Sequence, residues 1–64
     1  MREVQVFIHG ESGSGKTRAQ AIIAEALHRN GFAVSTFDEE GVLKGQLGIT
    51  GPVEYSATVT TQED

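Results

Sequence analysis

The chain has no cysteine and no tryptophan, one proline, and only four aromatic side chains, three phenylalanines and a tyrosine. Without cysteine, neither a disulfide framework nor a thiolate zinc site can reinforce it. A reducing compartment fits that composition, and a cytoplasmic location is the expectation. Its apolar runs are a few residues long, which excludes a membrane-spanning helix, and MREVQV at the start has no signal-peptide core. Basic charge is also scarce, with five Lys and Arg against nine Asp and Glu, for a net charge of −4. That balance argues against a broad nucleic-acid surface, which needs a field of cations to displace phosphate counterions. A single small anion remains within reach, because backbone dipoles and one lysine act locally whatever the net charge.

Sixty-four residues allow one domain. A chain of this size buries only about 60% of the surface its unfolded form exposes, so packing, self-association or a ligand must add to stability. Val4, Val6 and Ile8 alternate with Gln5, Phe7 and His9, which predicts a strand over residues 3–9. The polar Gln5 suggests that one face of this strand is only partly covered. In TRAQAIIAEALHRN, Ala19, Ile22, Ile23, Ala26 and Leu27 recur at helical spacing, while Arg18, Gln20, Glu25 and Arg29 occupy other positions. The pattern predicts a helix over 16–30, with His28 and Arg29 at the negative end of its dipole and Gly31 ending it.

FAVSTFD, rich in aromatic and β-branched residues, predicts a second strand over 32–38. Residues 39–52 carry four glycines and the proline and read as turns, with one short element around 42–47. Val53, Tyr55, Ala57 and Val59 alternate with Glu54, Ser56, Thr58 and Thr60, predicting a third strand over 53–60 with one wet face, of the antiparallel kind. Tyr55 reads as a core residue of that strand, and residues 61–64 as a disordered tail behind a single domain over 1–60. The expected fold is α/β: a minimal two-layer βαβ unit with an added strand. Phe7 and Phe37 would lie on the sheet face left uncovered by the helix, a surface for a homodimer or a protein partner.

Between the first strand and the helix stands GESGSGKT, Gly10 to Thr17, which fits G-x-x-x-x-G-K-[ST] at every defined position. The residue types suit one task. A polyphosphate must be surrounded by backbone N–H groups, and side chains with a Cβ obstruct that approach. Gly10, Gly13 and Gly15 permit the tight path, and the loop ends where a helix N-terminus adds positive potential. Lys16 supplies a mobile charge for β- and γ-phosphates, and the Thr17 hydroxyl suits Mg²⁺.

The octet and its flanks resemble the first βαβ segment of the P-loop nucleoside triphosphatases and kinases, and GESGSGKT is similar to the loop of many ABC-type ATPases and of myosins. The similarity covers residues 3–38. It implies a phosphate cradle formed by Gly10, Glu11, Ser12, Gly13, Ser14, Gly15, Lys16 and Thr17, with Mg²⁺ and ATP or GTP as cofactors. The side chain of Glu11, an acid inside an anion-binding loop, must point outward.

Phosphoryl transfer needs further groups: an acid to orient Mg²⁺, a residue to position the nucleophile, and a cation for transition-state charge. The catalytic candidates are Lys16 and Asp38. VSTFDEE is similar to a Walker B stretch, which would make Asp38 a metal-orienting acid. The resemblance to small-molecule kinases implies instead a substrate or partner contact there, and a solvated acidic turn closing the strand is the third reading. Arg18 could reach a phosphate or simply be solvated; after Arg29 the only basic residue is Lys44. His9 either senses phosphate or bonds to backbone, and His28 is a surface residue. Neither histidine has an acidic partner at ligand spacing, so no transition-metal site is expected.

Three functions follow. One is a nucleotide-binding protein with absent or weak hydrolysis. Another is an NTPase or kinase completed by oligomerisation or a partner. The last is a non-enzymatic interaction or regulatory module, of the phage-type or accessory kind, that keeps the loop as architecture.

Overall fold

A computed structural model describes residues 2–63. The chain is a small α/β domain of one helix and a four-stranded mixed sheet, in the order β1(Arg2–Gly10), α1(Lys16–Arg29), β2(Phe32–Phe37), β3(Leu43–Leu47), β4(Tyr55–Glu63). Across the sheet the strands run β1-β4-β2-β3. β4 is parallel to both β1 and β2, and only β3 is antiparallel, to β2.

The last strand therefore departs from expectation in two ways. It lies in the middle of the sheet, parallel to its neighbours rather than antiparallel. It also runs through Glu63, so Thr61, expected in a disordered tail, is fully buried; Asp64 lies outside the described residues. The polar alternation that suggested an antiparallel strand has another cause. The helix covers one face only, so even a central strand keeps a polar side with Ser56, Thr58 and Thr60 half-buried.

Register fixes what each face carries. Val6 pairs with Val59, Ile8 with Thr61 and Val34 with Ala57. Ala24 of the helix joins Val34, Ala57 and Val59 in the core, flanked by Val6, Ile8, Ile23, Leu27 and Phe32. On the other face, Phe7 and Phe37 both stand opposite Thr60, forming one row with Phe7 half exposed. The two phenylalanines thus share the uncovered face, as the alternation suggested.

The helix is rotated from the position its apolar pattern implied. Its buried residues are Lys16, Gln20 and Ala24, spaced by four, while Ile22 is 60% exposed. The inward stripe begins polar because the first two turns lie over the loop end of the sheet, and it becomes apolar only beyond them. The helix ends at Arg29: Gly31 adopts φ +91, and the N–H groups of Asn30 and Gly31 donate to the carbonyls of Leu27 and His28. Tyr55 is not a core residue. At 37% exposure it stacks its ring beside Phe32, centroids 5.3 Å apart, with the Arg2 guanidinium 5.6 Å above.

Candidate functional site

At Gly10 the chain leaves β1 and must reverse within five residues to enter the helix at Lys16. The Ser14 N–H donates to the Glu11 carbonyl at 3.1 Å, closing the turn. Gly13 and Gly15 take φ of +81 and +97, a region that costs an L side chain roughly 1–2 kcal/mol. Gly10 is needed for a different reason: a Cβ there would stand 2.6 Å from Ser14 Oγ and 3.2 Å from Lys16 Cγ. The three glycines therefore answer two demands, backbone handedness and close approach.

The helix N-terminus is left open. Gly15 is its N-cap, no side chain caps it, and its first turn holds no acid. Among the described residues, the N–H groups of Gly13, Gly15, Lys16, Thr17 and Arg18 meet no protein acceptor. Unpaired amides at the positive end of a 14-residue helix form an anion-attracting surface.

Lys16 is 7% exposed, and its Nζ donates to the Gly10 carbonyl at 2.8 Å and the Glu11 carbonyl at 2.9 Å. The ammonium thus bridges the two sides of the loop and keeps one of its three donors for a ligand. One helical turn on, Gln20 is buried, and its Nε2 donates to Phe37 O and Val59 O, each at 2.8 Å. It ties the helix to β2 and β4 where β2 stops and β4 continues.

A cleft of about 360 Å³ opens at the helix N-terminus, lined by Ser12, Gly13, Gly15, Lys16, Thr17, Arg18 and Glu39. The structure brings these five loop residues together with Arg18 from the first turn and Glu39 from beyond β2. Gly10, Glu11 and Ser14 are not among the residues that line the cleft. Glu11 is exposed and contributes its carbonyl to the bonds with Ser14 and Lys16.

Asp38 takes part in its own turn. One carboxylate oxygen, Oδ1, accepts from the N–H groups of Glu40 and Val42, both at 2.9 Å, while its backbone N–H donates to Val42 O. This is the acidic turn that closes the strand, and the acid lining the cleft is the next residue, Glu39. His28 is distant from the loop, with Nε2 2.9 Å from Gly48 O, and His9 stands opposite Gln62. No group of three His, Asp or Glu among the described residues is placed to hold a metal. Among the described residues, no helix is long and apolar enough to cross a membrane.

Sequence reasoning missed the buried positions of Gln20 and Thr61. Gln20 had a readable signal, since it lies four residues after Lys16 and must share its face. Thr61 continues the period of Ala57 and Val59, and its Oγ1 is buried without a hydrogen-bond partner. Glu39 was visible only as the acid following Asp38 in VSTFDEE, and the course of the turn after β2 decides which of the two points into the cleft. No protein-family profile matches this chain, and no curated protein or solved structure is significantly similar to it.

Proposed function

We propose that this chain is a nucleotide-binding protein that holds the polyphosphate of ATP or GTP, with Mg²⁺, in the Gly10–Thr17 loop and turns it over slowly or not at all. One observation carries the reading: five unpaired backbone N–H groups and the spare donor of Lys16 lie together at a single cleft. Such an arrangement attracts an anion with several oxygens and offers nothing comparable to a neutral or cationic ligand.

Mg²⁺ keeps several waters and takes few protein ligands, so a sparse donor set is adequate for it. The exposed hydroxyl of Thr17 would hold the ion beside the phosphates, and Glu39, across the cleft, would accept from its waters. A bound Mg²⁺ offsets phosphate charge and so weakens the repulsion between a polyanion and a chain of net charge −4. The Gly10–Thr17 backbone positions the phosphates, and Lys16 holds the loop closed around them.

Weak turnover follows from what lines the cleft. Asp38 is bound into its turn, Arg18 is the only arginine lining the cleft, and Glu39, the one carboxylate lining it, would be taken up by the waters of Mg²⁺. Calorimetry with Mg-ATP, Mg-GTP and adenosine tests the reading. Both nucleotides should bind and adenosine should not; equal binding of adenosine would place recognition elsewhere. No binding by any of the three at millimolar concentration would favour the interaction module.

A further inference from the structure

The two edges of the sheet are built differently. β3 is five residues long, carries Lys44, and its register with β2 breaks between Thr36 and Phe37. Short length, a lysine and an irregular ladder are devices that keep an edge from pairing with another chain. β1 has none of them across nine residues, and its register with β4 is unbroken. The Arg2 N–H donates to Glu54 O, so the even-numbered residues of β1 turn their backbone groups toward β4. By alternation, Glu3, Gln5 and Phe7 turn theirs outward, where no described residue accepts or donates. Val4 shares the helix-facing side with Val6 and Ile8, yet it is 44% exposed.

In REVQVFIHG the apolar Val4 and Ile8 stand at equal distances on either side of Val6. We propose that β1 pairs antiparallel with β1 of a second copy about a two-fold axis at Val6, merging two four-stranded sheets into one. In this register Gln5 and Phe7 of opposite copies exchange their outward backbone bonds. Val6 meets Val6, and Val4 meets Ile8, at the closer non-hydrogen-bonded positions on the helix-facing side. The exposed Val4 is thereby covered by an apolar partner.

The same register places Arg2 of the second copy opposite Gly10, about 4.5 Å away between Cα atoms. Within its own chain Arg2 lies at the far end of β1 from the loop, where it donates to the Tyr55 hydroxyl at 3.2 Å. Across the dimer it stands on the helix-facing side, beside Ser14 and Lys16, which fill the space over Gly10, so its side chain extends along the loop rather than over the glycine. Each loop thus gains a guanidinium that its own chain cannot bring there. This second step rests on the phosphate-binding reading; the strand pairing does not.

Sedimentation velocity over a range of concentrations tests the pairing. Wild-type and Phe37→Ser chains should associate as concentration rises, because Phe37 lies on the uncovered face and not at the edge. Val4→Lys, which sets two ammonium groups into the paired strands, should stay monomeric with an unchanged circular dichroism spectrum. If that variant fails to fold, Gln5→Pro serves, since it removes an outward N–H and no bond to β4. A wild-type chain that stays monomeric throughout, or a dimer that survives the edge substitution, overturns the pairing.

Mixing Arg2→Ala with Lys16→Ala then tests the shared site. The mixture should bind Mg-ATP several-fold better than either variant alone, because the mixed dimer holds one intact site. Arg2→Ala protein that dimerises and binds like wild type overturns the role of Arg2. Wild-type dimer that binds no Mg-ATP overturns the phosphate reading instead, and leaves the pairing standing.

Discussion

The Lys16 ammonium reaches back six residues to donate to the Gly10 carbonyl oxygen at 2.8 Å. The bond joins the first residue of the helix to the last residue of β1, and with the Glu11 bond it closes the loop without a ligand. A loop already held in this way loses little conformational freedom when an anion enters, which favours affinity.

Gly10→Ala should harm ligand binding more than folding. Ser14 Oγ can rotate away from a new Cβ, but the Lys16 stem at 3.2 Å must shift, and its ammonium is then drawn off the loop carbonyls. A stability loss of about 1 kcal/mol is expected in urea denaturation, with a larger loss in nucleotide affinity. Adding Ser14→Gly should recover part of the stability and little of the affinity.

Gln20→Leu should cost about 2–4 kcal/mol, since it strips the hydrogen bonds from two carbonyls at the helix–sheet junction. Thermal unfolding followed by circular dichroism reads this directly. A change under 0.5 kcal/mol would mean that water satisfies Phe37 O and Val59 O in place of the side chain.

Thr61→Val should leave stability unchanged or raise it by about 1 kcal/mol, because it replaces a buried hydroxyl that lacks a partner with a methyl of similar size. A clear loss of stability would show that the hydroxyl is hydrogen-bonded in solution.

The sequence and the structure agree where local chemistry decides. The helix lies within a residue of its expected end because Gly31 stops it, and β1 follows the alternation of Val4, Val6 and Ile8. Loop residues Ser12, Gly13, Gly15, Lys16 and Thr17 line one cleft because they are close in the chain. Disagreement begins where distant segments meet. Nothing local to Tyr55–Glu63 says that it enters between β1 and β2, and that placement makes it parallel and buries Thr61. Ile22 misled for the same reason: the helix turns Lys16 and Gln20 inward to serve the loop end of the sheet, and Ile22 is left facing water. Asp38 and Glu39 were indistinguishable as sequence, and a turn bonded through Asp38 Oδ1 separates them.

The most direct test of the account is a titration of labelled wild-type and Lys16→Ala protein with Mg-ATP and Mg-GTP, following backbone amide resonances. Shifts should concentrate on Gly13, Gly15, Lys16, Thr17 and Arg18 in the wild type. The variant should stay folded with some loss of stability, since two bonds to loop carbonyls go, and should bind about 10- to 100-fold more weakly, the equivalent of one charge-assisted hydrogen bond. Loop amides that stay unmoved at millimolar nucleotide, or a Lys16→Ala protein that binds as tightly as wild type, would contradict it.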